Sequence, residues 1–121
     1  MSELSTVSIE DRDGVVLARV AGELDIAESG GTGERISQAV APTATGVVVD
    51  FSELKFIDSS GVAMLFSLAR QLDVSRQELR VVAPADGLVA RVLEIVEFRR
   101  AAPVDPDLDQ ALARIGKSER R

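Results

Sequence analysis

The sequence contains no cysteine and no histidine, which removes several classes of functional site at once. Without cysteine there is no disulfide, no thiolate nucleophile and no sulfur ligand for zinc. Without histidine there is no imidazole base for a catalytic triad and no imidazole ligand for a metal. We therefore expect no metal and no cofactor. A chain of 121 residues is long enough to be held together by a hydrophobic core instead.

Aromatic residues and positive charge are also in short supply. Tyrosine and tryptophan are absent, and four phenylalanines make up the whole aromatic complement. Stacking platforms for single-stranded nucleic acid would have to be built from those four rings. The formal net charge is -6, which opposes binding to a phosphate backbone. The composition therefore predicts no direct nucleic-acid partner.

Long apolar segments are missing as well. The longest unbroken apolar runs are far too short to span a bilayer. Residues 1–6 have neither the basic start nor the apolar centre of a signal peptide. The sequence therefore predicts a cytoplasmic protein with no membrane partner.

Segments with the pattern of strands recur along the chain. Five of them are found: residues 6–10, 15–20, 47–49, 79–83 and part of 98–104. Asp13-Gly14, between the first two, is typical of a tight hairpin turn. The three valines at 47–49 are typical of a strand that is buried on both faces. A turn is predicted between Phe51 and Asp58.

Four other segments carry apolar residues at helical spacing. One surrounds Ile36 and stops before Pro42, and the others cover residues 62–72, 88–96 and 108–115. The alternating order predicts an α/β fold with a mixed, mostly parallel sheet of about five strands covered by about four helices. We expect a single domain over residues 1–116 and a disordered basic tail over residues 117–121.

The most informative motif is Asp58-Ser59-Ser60-Gly61, which stands immediately before a long apolar helical pattern. Aspartate and serine are favoured there because their side-chain oxygens accept hydrogen bonds from the first free amides of a helix. A helix cap alone would account for this pattern. Two adjacent hydroxyls nevertheless exceed what one cap needs, and a helix amino terminus tolerates a phosphate. The motif therefore also fits a phosphorylation switch.

Other polar motifs carry weaker signals for chemistry. The plain interpretation of Gly22-Glu23-Leu24-Asp25 is a turn with solvated carboxylates. Gly30-Gly31-Thr32-Gly33 lacks the Lys-Ser/Thr ending of a nucleotide-binding loop and does not directly follow a strand. The Gly-x-Ser-x-Gly elbow of acyl transfer is missing, and a serine–lysine dyad with Lys55 has no supporting motif. We therefore expect no enzymatic activity.

The motifs resemble those of the STAS-domain anti-sigma factor antagonists of bacterial sporulation and stress regulation. The resemblance rests on Gly22-Glu-Leu-Asp25 after the second strand and on Val49-Asp-Phe-Ser-Glu-Leu54. It rests also on Phe56-Ile-Asp-Ser-Ser-Gly61, which leads into an apolar helix. The spacing of these motifs and the order of strands and helices fit the family over nearly the whole chain. The resemblance implies a single STAS domain over residues 1–116.

The resemblance also implies a mechanism. In this family the unphosphorylated protein binds an anti-sigma factor that is also a serine kinase, and so frees a sigma factor. The kinase uses ATP to phosphorylate the first serine of the motif, here Ser59, and a serine phosphatase resets the switch. Asp58 would flank the phosphoacceptor, Ser60 would assist or cap, and Gly61 would keep the helix start accessible. The implied partner-binding residues are Glu23, Asp25, Asp58, Ser60, Gly61 and Val62.

One departure from the family pattern concerns the first helix. Three glycines follow the Gly-Glu-Leu-Asp motif, and each costs about 1 kcal/mol relative to alanine inside a helix. We therefore expect this helix to start late, near residues 32–34, or the region to be mobile. An alternative function also stays open. The chain is then a STAS module that binds a nucleotide, a lipid or another small ligand, or a scaffold component of a signalling assembly.

Overall fold

A computed structural model, which describes residues 5–117, shows a six-stranded mixed sheet with helices packed on it. The strands are β1 (Ser5–Arg12), β2 (Val15–Leu24), β3 (Gly46–Asp50), β4 (Leu54–Ile57), β5 (Glu78–Val82) and β6 (Val104–Asp105). The helices are α1 (Ser29–Ala39), α2 (Ser59–Val74), α3 (Leu88–Ile95) and α4 (Leu108–Arg114), with a 3₁₀ turn at Phe98–Arg100. The predicted α/β class and mostly parallel sheet are confirmed.

The strands lie in the order β1-β2-β3-β5-β6, and every neighbouring pair except β1–β2 is parallel. The antiparallel pair is closed by the predicted hairpin turn. Asp13 and Gly14 both have positive φ, 54° and 86°, as a two-residue turn between twisted strands requires. All five residues of β3 are buried because this strand lies between β2 and β5. The three valines at 47–49 are thus in a central strand, as predicted.

The two faces of the sheet carry separate hydrophobic clusters. The larger cluster joins alternate residues of the strands to the inner faces of the first three helices, through Ile36, Leu65 and Leu93 among others. The smaller cluster packs Ala111 and Ile115 against strand residues of the other face: Leu17, Val48 and Val82. Helix α4 and the turn after it therefore cover one face, whereas α1, α2 and α3 share the other.

A buried cluster of charges links α4 to β6, the outer strand of the sheet. Asp105 in β6 is 1% exposed and accepts hydrogen bonds from Arg80 Nε at 2.8 Å and from Arg114 Nη1 at 2.7 Å. Arg80 Nη1 also donates to Glu78 Oε2 at 2.9 Å. Burial alone would raise the pKa of Asp105, but the hydrogen bonds from the two arginines hold this pKa below its ordinary value.

The first helix begins earlier than predicted. It starts at Ser29 and includes Gly30, Gly31 and Gly33, whereas the glycines had indicated a start near residues 32–34. The main chain is already turning before the glycines, because the Asp25 carbonyl accepts the amides of Glu28 and Ser29 at 3.0 and 2.9 Å. Tertiary packing then favours the helix, because two of its first four residues, Ser29 and Thr32, are buried. Packing on neighbours therefore outweighs the low helix propensity of glycine.

Two other predictions about chain segments are corrected. Residues 54–57, predicted as part of a turn, form β4, which pairs in parallel with the end of β2. The sheet therefore has six strands rather than five. Residues 98–104, predicted to hold a strand, begin with the 3₁₀ turn at Phe98–Arg100, and only Val104–Asp105 is extended. Phe98 is fully buried, so its apolar signal came from core packing and not from a strand. Residues 118–121 of the predicted tail lie outside the described residues.

Candidate functional site

The amino terminus of α2 lies beside the carboxyl ends of β2 and β4. The Asp58 amide donates to the Leu24 carbonyl at 3.2 Å, which joins the helix start to the last residue of β2. Leu24 in turn pairs with Ile57 in the β2–β4 ladder. The unexpected strand β4 therefore brings the two sequence motifs together, because it is the segment that pairs with Gly22-Glu23-Leu24 and leads directly into Asp58.

Asp58 is the N-cap of α2, and its carboxylate binds both the first turn of α2 and the loop after β2. Its Oδ1 accepts from the amides of Ser60 at 2.9 Å and Gly61 at 3.1 Å, and its Oδ2 accepts from the Ile26 amide at 3.2 Å. The Ser60 hydroxyl bond and these three amides hold the pKa of the Asp58 carboxyl below its ordinary value. Asp58 is therefore ionised at neutral pH, and it connects the loop after β2 to the start of α2.

The two hydroxyls of the motif have different surroundings. Ser60 is half-buried and donates to Asp58 Oδ1 at 2.6 Å, and its oxygen accepts from the Ser29 hydroxyl at 3.1 Å. Ser59 is exposed at the first helical position, and among residues 5–117 its hydroxyl has no side-chain hydrogen bond. The structure therefore presents the Ser59 oxygen to solvent and holds the Ser60 oxygen inside the protein.

Gly61 and Val62 face inward, unlike Ser59. Gly61 is buried, and a Cβ on it would lie 2.7 Å from Ile57 Cγ1 and 3.0 Å from the Leu24 carbonyl oxygen. Only glycine lets the third residue of α2 approach the strand ends so closely. Val62 is half-buried and packs against the larger hydrophobic cluster. Both residues therefore fix the position of the helix start on which Ser59 is carried.

The acidic residues of the first motif lie on either side of the end of β2. Glu23 is exposed within the strand and is paired in register with Phe56 of β4. Asp25 is half-buried just beyond the strand, where its Oδ1 accepts from the Ala27 amide at 3.0 Å and stabilises the turn that leads into α1. The predicted site residues therefore lie together where β2 and β4 end and α2 begins, which we call the switch edge of the sheet. Asp25 is one residue from Ile26, whose amide Asp58 binds.

Three residues of this region were not predicted as site residues. Ile26 is 82% exposed although it is apolar, and Phe56 is 41% exposed. An isoleucine inside a segment otherwise typical of a turn was a usable signal for the first, because turns favour polar residues. Ser29 is buried and contacts Ser60 across 31 positions of the sequence, a contact that no local pattern indicates.

Among residues 5–117, no group of three or more acidic side chains is placed to hold a metal ion. The same part of the chain contains no helix that is both long and apolar enough to cross a membrane. The site itself is a helix terminus capped by Asp58, at which the Ser59 hydroxyl is accessible.

Comparison with known proteins shows where similar chains occur. The family model described as STAS domain matches residues 6–111. The anti-sigma-F factor antagonist RsfB of Mycobacterium tuberculosis is 29% identical over 86 residues, which cover 71% of this chain and 68% of that protein. A crystal structure of an anti-sigma factor antagonist from Mycobacterium paratuberculosis superposes with a TM-score of 0.82 at 28% identity, covering 92% of this chain and 93% of the other. The Bacillus cell fate determinant SpoIIAA in its phosphorylated form has the same fold, with a TM-score of 0.69 at 23% identity, covering 91% of this chain and 99% of the other.

Proposed function

The chain belongs to the STAS domain family, and from this premise we propose that it is an anti-sigma factor antagonist switched by phosphorylation of Ser59. In the unphosphorylated state it binds a kinase-type anti-sigma factor and so releases a sigma factor. Phosphate on Ser59 ends this binding, and a serine phosphatase restores it. The relatives named anti-sigma factor antagonists support this role, and so does the phosphorylated form of SpoIIAA, which has the same fold.

The observation that carries the proposal is the different environment of the two adjacent hydroxyls. The kinase needs a serine oxygen that can reach its active site, and Ser59 is exposed at the first position of α2. Ser60, by contrast, is engaged with Asp58 and Ser29. We therefore assign the phosphoacceptor role to Ser59 and a capping role to Ser60.

A phosphate on Ser59 would stay directed toward solvent. It adds about -1.5 to -2 charge at pH 7. Asp58 already occupies the amides of Ser60 and Gly61, so these donors are not available to draw the phosphate back onto the helix. The positive end of the helix dipole offsets part of the new charge, and the fold should therefore survive the modification. The partner, in contrast, meets a dianion where it formerly met a neutral hydroxyl.

We propose that the partner binds the switch edge of the sheet, where β2 and β4 end, around Ser59. The predicted contact residues of this edge are Glu23, Asp25, Asp58, Ser60, Gly61 and Val62. Two exposed apolar side chains, Ile26 and Phe56, border the same edge and supply the apolar contact area that such an interface needs. Gly61 and Val62 act from beneath, because they set the position of the helix start.

We further propose that the chain is a binding protein and a kinase substrate, and not itself an enzyme. Within residues 5–117, the only carboxylate bonded to a hydroxyl of the motif is that of Asp58, which is committed to the helix cap. The sequence offers no histidine or cysteine for nucleophilic chemistry. The proposed partners, an anti-sigma factor kinase and a phosphatase, place its action in the cytoplasm.

The test measures binding of the wild-type chain to a panel of purified kinase-type anti-sigma factors, in ADP and in ATP, by calorimetry and mass spectrometry. Burying a phosphate dianion against a surface shaped for a hydroxyl should cost about 3 to 4 kcal/mol, or roughly a few hundred-fold in affinity. Ser59→Ala should bind the anti-sigma factor with either ADP or ATP present, and Ser59→Asp should bind it poorly while it stays folded. Ser67→Ala, at another exposed serine of α2, is the matched control and should behave as wild type.

One result would reject the assignment of Ser59. It is kinase-dependent phosphate on Ser60 or elsewhere, together with a Ser59→Ala variant that ATP still releases completely. Binding of a nucleotide or lipid by the isolated chain, with no anti-sigma factor bound, would favour the alternative function of a ligand-binding STAS module.

A further inference from the structure

A buried hydroxyl at the start of α1 contacts the phosphorylation motif directly. Ser29, 5% exposed, donates to the Ser60 oxygen at 3.1 Å across the junction between α1 and α2. Glu28, and not Ser29, occupies the N-cap position of α1. The hydroxyl of Ser29 is therefore committed to the second helix rather than to its own.

This contact completes the hydrogen bonding that restrains Ser60. A serine hydroxyl has one proton to donate and two lone pairs. The proton of Ser60 is directed at Asp58 Oδ1 at 2.6 Å, and one lone pair receives the hydroxyl of Ser29. The side chain is thus held from two sides in a half-buried position. Ser59, one residue away, has neither restraint within the described part of the chain.

We infer that Ser29 is a positioning residue that restricts phosphorylation to Ser59 by holding the Ser60 hydroxyl inward. The inference rests on the proposed function. In the transfer, a serine oxygen forms a bond to the γ-phosphorus of ATP while the bond to the bridging oxygen breaks. ADP leaves, and the hydroxyl proton passes to a base of the kinase. Ser60 can present its oxygen only after it rotates away from both Asp58 and Ser29, whereas Ser59 needs no such rotation.

Removing the Ser29 hydroxyl should therefore relax the choice between the two serines. In Ser29→Ala, Ser60 retains only its bond to Asp58 and rotates outward more often. The loss of one hydrogen bond should raise the share of phosphate on Ser60 relative to Ser59 by roughly fivefold, the factor that corresponds to about 1 kcal/mol. If general loosening of α1 on α2 were the cause instead, removing a hydrogen bond elsewhere between these two helices would raise the same ratio.

The chain supplies a matched control for that last point. Ser37, two turns further along α1, also donates a hydroxyl to α2, in a 2.9 Å bond to Gln71 Oε1. Ser37→Ala therefore removes one hydrogen bond between the same two helices at a site remote from the motif. It should leave the phosphate on Ser59 as in wild type.

The experiment has two arms. In the first, carbon-13 NMR follows the pKa of the Asp58 carboxyl in the isolated wild type, Ser29→Ala and Ser37→Ala. The Asp58 pKa should rise only in Ser29→Ala, because Ser60 then donates to Asp58 for less of the time. In the second, the same chains are incubated with purified kinase-type anti-sigma factors and Mg-ATP, and mass spectrometry locates the phosphate.

The outcomes separate this inference from the proposed function. Unchanged Asp58 pKa in Ser29→Ala, or phosphate still confined to Ser59, overturns the role of Ser29 and leaves the Ser59 switch intact. An equal increase of Ser60 phosphate in both alanine variants also overturns it, because general loosening of α1 would then be the cause. Absence of any phosphate on wild type with every kinase contradicts the proposed function, and the inference falls with it.

Discussion

Replacing Gly61 with alanine tests whether the switch helix depends on close contact with the strand ends. A Cβ at this position would lie 2.7 Å from Ile57 Cγ1 and 3.0 Å from the Leu24 carbonyl oxygen. The isoleucine side chain can adjust, but the carbonyl belongs to the main chain of β2 and accepts the Asp58 amide. The start of α2 must therefore move outward, which should also weaken the cap that Asp58 makes.

Gly31→Ala is the matched control. Gly31 and Gly61 are each the third residue of a helix, so the gain in helix propensity, up to about 1 kcal/mol, should be similar in both variants. An added Cβ at Gly31 meets no atom within 4 Å. The difference between the two variants then isolates the cost of overpacking at Gly61, typically about 1 to 3 kcal/mol.

The assay is urea and thermal unfolding followed by circular dichroism, since the chain has no tryptophan or tyrosine to report by fluorescence. For 121 residues, 1 kcal/mol corresponds to about 4 °C in melting temperature. Gly31→Ala should melt up to about 4 °C above wild type, and Gly61→Ala roughly 4 to 12 °C below Gly31→Ala. Equal melting temperatures for the two variants would refute the packing role of Gly61.

Three further predictions concern the charge cluster, the sheet and the partner surface. Asp105→Asn should lower the free energy of unfolding by about 3 kcal/mol at pH 7, because it removes the buried carboxylate that binds Arg80 and Arg114 and leaves the Arg80 charge paired, among the described residues, with Glu78 alone. Since the pKa of Asp105 is lowered from 3.8 on folding, its stabilisation is present above about pH 4 and is lost as the pH falls through the lowered pKa. The free energy of unfolding of the variant should therefore depend less on acid pH, and a pH profile equal to that of wild type would contradict this. Gly46→Ala should lose about 3 kcal/mol in urea unfolding, because its Cβ would overlap the main-chain carbonyl of Glu78 in the neighbouring strand; wild-type stability would show that the strands separate freely there. Ile26→Asp should leave the fold unchanged within about 0.5 kcal/mol, yet weaken binding to a purified kinase-type anti-sigma factor about tenfold in calorimetry; unaltered affinity would place the interface elsewhere.

Local patterns sufficed for the segments whose structure is decided locally. The Asp13-Gly14 turn, the buried valines of β3 and the capped start of α2 at Asp58 all follow from residue type and spacing. In the site, the same patterns identified Asp58 and the hydroxyl pair. They could not show that the Ser60 hydroxyl is engaged, because one of its two hydrogen-bond partners is Ser29, a residue in another helix.

The segments that were mispredicted depend on distant partners. Strand β4 has only four residues and follows β3 after a short turn, so its sequence indicates no separate element; it forms because the end of β2 offers a free edge. The start of α1 was misjudged because three glycines lower its helix propensity, while the contacts that hold it come from Asp25 and from α2. Phe98 gave an apolar signal that belonged to the core rather than to a strand.

The order of elements along the chain has a consequence for synthesis on the ribosome. Helix α4 follows every strand, yet it covers Leu17, Val48 and Val82 on its face of the sheet. At about 5 to 20 residues per second, Ala111 leaves the ribosome roughly 5 to 20 s after Leu17. During that interval the strands of the sheet can assemble with one apolar face uncovered, and Asp105 can pair with Arg80 but still lacks its contact with Arg114. The nascent chain is therefore most exposed to aggregation, and most dependent on chaperones, just before α4 emerges.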